Sequence, residues 1–163
     1  MIKKTLILVL FLFSVHLMFG QFVFMKKYTG IDLGAGYRTI GLGVQGPGVH
    51  FKIERGLVQI RQVGALAAGL RANAVFPLGE NTVEPSLTLR GTWHVGLFRT
   101  KIVDLYTGTG VAFDLEQGHH IHPDAFVGAR YKFDNHTHSK AALFTEVSYY
   151  GTNYNIGLSM ILQ

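Results

Sequence analysis

The run VGARYKF, Val127 to Phe133, holds two positive charges inside a stretch that otherwise has the composition of a buried strand. In an extended chain successive side chains point to opposite faces, so Val127, Ala129, Tyr131 and Phe133 share one side and Gly128, Arg130 and Lys132 the other. One face is apolar and one is charged. Whether Arg130 points into the protein or into solvent decides the fold, and the rest of the chain bears on that choice.

The same two-faced design recurs. No apolar stretch of about 18 residues follows Gln21 and no helical period is sustained; instead alternating runs of about 8 to 12 residues repeat. Eight are read, at Tyr28–Arg38, Val49–Glu54, Gly64–Phe76, Pro85–Val95, Val103–Asp114, Asp124–Phe133, Ala141–Tyr150 and Tyr154–Leu162. Between them stand GVQGPG, PLGEN, EQGHHIHP, DNHTHSK and GTN, the Gly, Pro, Asn and Asp clusters of turns. In the fourth run Leu87, Leu89, Trp93 and Val95 oppose Ser86, Thr88, Arg90, Thr92 and His94; in the last, Tyr154, Ile156, Leu158, Met160 and Leu162 oppose Asn155, Gly157 and Ser159.

Such strands close either into a water-soluble barrel with the apolar face inward, as in lipocalins, or into a membrane barrel with it outward. Three features favour the second. The polar face is rich in glycine (Gly30, Gly34, Gly36, Gly69, Gly108, Gly110, Gly128, Gly157), which relieves crowding inside a narrow barrel. The same face carries both signs of charge in mid-run, at Asp32, Lys52, Glu54, Arg71, Arg90, Arg130, Lys132 and Glu146. Tyrosines and Trp93 recur near the ends of runs, where interfacial aromatic girdles sit. An arginine turned toward lipid at the midplane costs about 2–4 kcal/mol, whereas one turned inward toward Glu146 on the neighbouring run is paired and hydrogen-bonded. The expected fold is therefore all-β, an eight-stranded antiparallel up-and-down transmembrane β-barrel. Its lumen is filled by a structural network of Asp32, Lys52, Glu54, Arg71, Arg90, Asp104, Arg130, Lys132 and Glu146, which leaves no wide aqueous pore.

Composition agrees with one domain. The chain has 163 residues, 48% of them apolar and only 15% charged, with 20 glycines; this is too apolar for a disordered chain and too glycine-rich for a helical bundle. Lys3 and Lys4, the apolar run Thr5 to Phe19 and the small Gly20 have the layout of a secretory leader. Residues 1–20 are thus expected to be a cleaved signal peptide and 21–163 the barrel domain. With no cysteine there is neither a disulfide framework nor a lipidation site. The formal charge of +5 falls to about +3 without Lys3 and Lys4, and this modest excess implies no nucleic-acid partner.

VDLYTGTGVAF (103–113), DAFVGARYKF (124–133) and LFTEVSYYGTNYNIGLSMIL (143–162), with a leader ending in Gly20-Gln21, resemble the small eight-stranded outer-membrane β-barrel proteins of the OmpA-like and OmpW-like type. The resemblance implies residence in the outer membrane of a Gram-negative-type bacterium, among lipid and lipopolysaccharide, after handling by the barrel assembly machinery. It also implies periplasmic termini, short periplasmic turns, longer surface loops open to an extracellular or envelope partner, and structural roles for Asp104, Arg130 and Glu146. The chain departs from the family at Ile161, Leu162 and Gln163, where a terminal aromatic is usual.

Three constellations invite chemistry. GHHIHPD offers His119, His120, His122 and Asp124 as donors for a divalent metal; the spacing is irregular, and the segment reads better as a polar loop, so no metal or other cofactor is expected. HTHSK sets His138 beside Ser139, but neighbours on a strand face opposite ways, and no catalytic pair is expected. GLGVQGPG is too irregular for a phosphate loop and reads as the first surface loop. The expected role is non-enzymatic, structural or surface-interacting. The alternatives are a periplasmic lipocalin-like carrier of a small apolar ligand, with Tyr106, Phe126, Phe144 and Tyr150 lining a pocket, and a lipid A-modifying barrel enzyme.

Overall fold

A computed structural model describes residues 24–39, 45–60, 63–96, 102–115, 120–133 and 141–162. The leader, His119 and the HTHSK residues lie outside them. Eight strands are present: β1 (Thr29–Arg38), β2 (Gly46–Ile60), β3 (Gly64–Val75), β4 (Glu84–Val95), β5 (Val103–Asp114), β6 (Ile121–Lys132), β7 (Ala141–Ser148) and β8 (Tyr154–Leu162). Each pairs antiparallel with the next, and β8 pairs with β1 to close the barrel. Followed once round, the register of the eight ladders advances by about ten residues, a stagger that tilts the strands by about 40° to the axis and leaves a bore that side chains fill.

The faces are sorted by charge. Leu89, Val111 and Leu158 are 53%, 42% and 61% exposed on the outer wall, while Arg90 and Arg130 are 4% and 0% exposed inside. Alternation of buried and exposed residues runs almost unbroken along β2, β6 and β7. Inward aromatics seat on inward glycines: a Cβ on Gly34 or Gly157 would meet the Phe144 ring at 2.7 and 2.8 Å, and one on Gly128 would meet the Tyr106 phenol. The inner glycines thus make room for rings that a narrow barrel could not otherwise hold.

Strand ends differ from the sequence reading by three or more residues in three places. β2 runs six residues past Glu54, because a bulge between Gly56 and Val58 interrupts the alternation that marks a strand. Gly46, Pro47 and Gly48, read as loop, open β2, and Ile121 to Pro123 open β6. Pro47, Pro85 and Pro123 each stand within three residues of a strand's start, where a missing N–H is tolerated. At one end the connections are 39–45, 76–83, 115–120 and 149–153; at the other, beside the start of β1 and the end of β8, they are 61–63, 96–102 and 133–140. Neither end has distinctly longer connections, so the loop asymmetry implied by the resemblance is not a property of this chain.

Candidate functional site

The enclosed charges form two clusters joined by one lysine. Near the terminus-bearing end the Arg130 guanidinium donates to Asp32 at 2.9 Å, to Asp104 at 3.2 Å and to Glu54. Ser159 donates to the second Asp32 oxygen at 2.5 Å. His94 lies between Asp104, with its Nδ1 2.9 Å from the carboxylate, and Glu54. Further along the bore Glu146 accepts from Arg71 and Arg90, each at 3.0 Å. Arg71 donates in addition to Ser148 and Asn155, both at 3.1 Å, and to Thr152 at 2.6 Å. Lys52 Nζ links the clusters, 2.6 Å from Asp32 and 3.4 Å from Glu146.

The rings insulate and stack on these charges. The Arg90 guanidinium lies 3.2 Å from the Phe126 ring centroid; Lys52 and Arg130 lie 4.6 and 4.8 Å from that of Tyr106. Tyr106, Phe126 and Phe144 therefore act as packing between charges. Burying ions is unfavourable unless each is paired and hydrogen-bonded, and this arrangement gives every carboxylate of both clusters at least one cationic partner.

Two sequence expectations are corrected here. Arg130 and Glu146 are not partners: on β6 and β7 Glu146 faces Gly128 while Arg130 faces Phe144. That offset turns Arg130 toward Asp104, its neighbour on β5, and leaves Glu146 to the three cations across the bore. Lys132 does not join the network. It is half-buried at the last position of β6, with no carboxylate partner among the described residues, since the end of a strand reaches water and needs none.

Asp32, Lys52, Glu54, Arg71, Arg90, Asp104, Arg130 and Glu146 are all buried. Among the contributors that sequence reasoning missed are the neutral partners Ser148, Thr152, Asn155 and Ser159, and three more. His94 lies on the inward parity of β4 together with Arg90, a signal that was legible. Asp124, read as the first residue of the sixth run and as a candidate metal donor, was left out of the network, yet it shares the parity of Arg130, Gly128 and Phe126 along β6 and lies 3.5 Å from Arg90. Phe24 precedes every alternating run and gave no signal. A turn with Lys27 at φ 74° folds it back, so that its ring stacks on His94 at 4.0 Å and packs against Ala67 and Ile161. Replacing Phe24 with Ala is expected to cost about 3 kcal/mol, read as a lower urea midpoint of the refolded barrel; an unchanged midpoint would mean that the ring closes nothing.

At the opposite mouth, Asp114 holds His122, with Nε2 and Oδ2 3.1 Å apart, and accepts from the Tyr150 hydroxyl, while the His122 and Tyr150 rings stack at 4.9 Å. Burial, then the bond to Asp114, pushes the Tyr150 phenol well above the ordinary tyrosine range, so it remains a neutral donor. His120 is exposed beside them. Among the described residues no group of three or more His, Asp or Glu is arranged to hold a metal ion. Neither a protein-family model nor a curated protein matches the chain.

Proposed function

We propose that the chain is a non-enzymatic barrel of the outer membrane of a Gram-negative-type bacterium, of the OmpA-like or OmpW-like kind, with a structural or surface-interaction role. The observation that carries this is the inverted packing. Large apolar side chains such as Leu33, Ile156 and Leu158 stand more than half exposed around the wall, and charges fill the interior. Water-soluble monomers rarely present so wide an apolar surface. A bilayer supplies its natural solvent, and a closed barrel leaves no unpaired strand edge within it. The filled bore favours a plug and scaffold over a solute channel, and the reading assigns no turnover.

Refolded protein is expected to float with lipid vesicles, and protein expressed with its leader to fractionate with outer membranes. Release without detergent would favour a periplasmic carrier instead. Replacing Leu158 with Arg, on the outer wall, is expected to destabilise the vesicle-inserted barrel by about 2 kcal/mol. Incubation with lipopolysaccharide is expected to leave its acyl chains intact, and their loss would overturn the non-enzymatic reading.

A further inference from the structure

We infer that the terminus-bearing rim of the barrel is a cationic collar that binds the headgroups of anionic phospholipid; this rests on the membrane reading above. Among the described residues, the exposed charges at this rim are Lys26 and Lys27 in the N-terminal turn and Arg55 on β2, with Lys132 half-exposed at the end of β6. All four are cations, and none has a carboxylate within ion-pair distance among those residues. The acids near this rim, Glu54 and Asp104, are turned inward and bonded to Arg130.

The opposite rim has the reverse sign. Glu80 is exposed, Glu84 and Asp114 are half-exposed, and its cation Arg38 is buried against Glu84. In sequence, the segments joining strands at the terminus-bearing end add Arg61, Arg99, Lys101 and Lys140 against Asp134, whereas those at the other end add Glu116. Among the described residues, the exposed positive charge is thus gathered at one end.

Arg55 identifies the occupant. It is on the outer wall, between Ile53 and Leu57 along β2, both exposed, and its neighbours across β3 and β4 are the small Ala68 and Gly91. A guanidinium on that wall, flanked by apolar side chains, is reached by a lipid whose acyl chains cover the wall and whose phosphate sits at the rim. With acyl chains covering the wall, as the membrane reading requires, a soluble acidic protein does not reach it there. Guanidinium binds phosphate through paired N–H groups, and ammonium groups add attraction to a negatively charged surface.

Trp93, the only tryptophan of the chain, provides the probe. It is on the outer wall of β4, opposite Leu66 and two residues from Gly91. The full chain, refolded into vesicles, would be titrated with dibrominated phosphatidylglycerol and, separately, with dibrominated phosphatidylcholine. Phosphatidylglycerol is expected to occupy the site beside Trp93 about fivefold more readily at low salt, with the preference fading toward about 1 M salt. The variant Lys26→Gln, Lys27→Gln, Arg55→Gln should still float and lose the preference. Equal quenching of the wild type by both lipids, or a preference that salt and the variant leave intact, would overturn the collar. Protein that neither floats nor is quenched by either lipid would instead remove the membrane reading beneath it. The wild-type ratio and its salt dependence remain decisive should the triple variant fail to fold.

Discussion

Replacing Arg130 with Met is expected to cost the barrel about 5 kcal/mol, the upper range for breaking a buried ionic group, because one guanidinium serves three carboxylates. Asp32 would retain Lys52 and Ser159, and Asp104 would retain His94. Glu54 would keep only the distant edge of His94, at 3.7 Å. Urea unfolding of refolded protein, followed by the gel-mobility shift between folded and unfolded barrel, measures the loss. A cost under about 1 kcal/mol would mean that water reaches these carboxylates freely, contrary to an enclosed network.

Glu146→Ala is expected to be nearly as severe, about 4 kcal/mol, for the opposite reason: it strands Lys52, Arg71 and Arg90 near one another without their shared carboxylate. Arg71 would keep its neutral acceptors Ser148, Thr152 and Asn155, and Arg90 would keep Asp124. Among the described residues, the two clusters share ion pairs only through Lys52. A double-mutant cycle between Arg130 and Glu146 should therefore give a coupling small beside that between Arg130 and Asp32, which is expected to exceed about 1 kcal/mol. A larger coupling for Arg130 with Glu146 would restore the direct pairing that the register of β6 and β7 argues against.

These predictions depend on details with unequal visibility in the sequence. That Arg90, Arg130 and Glu146 face inward was legible, since each lies on the parity of its run opposite the exposed apolar side chains, and parity needs only neighbouring residues. His94 and Asp124 carried the same signal and were passed over. Asp124 opened the sixth run, but the histidines before it drew it into a candidate metal-donor group instead of the enclosed network. β2 was cut short because the extra residue of its bulge places Leu57 and Val58 on the same outer face, and a period of two cannot extend through that. Phe24 had no legible signal, because its position depends on a turn and on the space left by Gly30 and Gly56.

Eight strands, their antiparallel succession and the division of side chains into an apolar and a charged face follow from the sequence by itself, because alternation is a local property of an extended chain. Tertiary structure alone decided who binds whom inside. The partners of Arg130 and Glu146 are set by how far each strand is staggered against the next once the ring has closed, and that stagger accumulates over all eight ladders. No single run contains it.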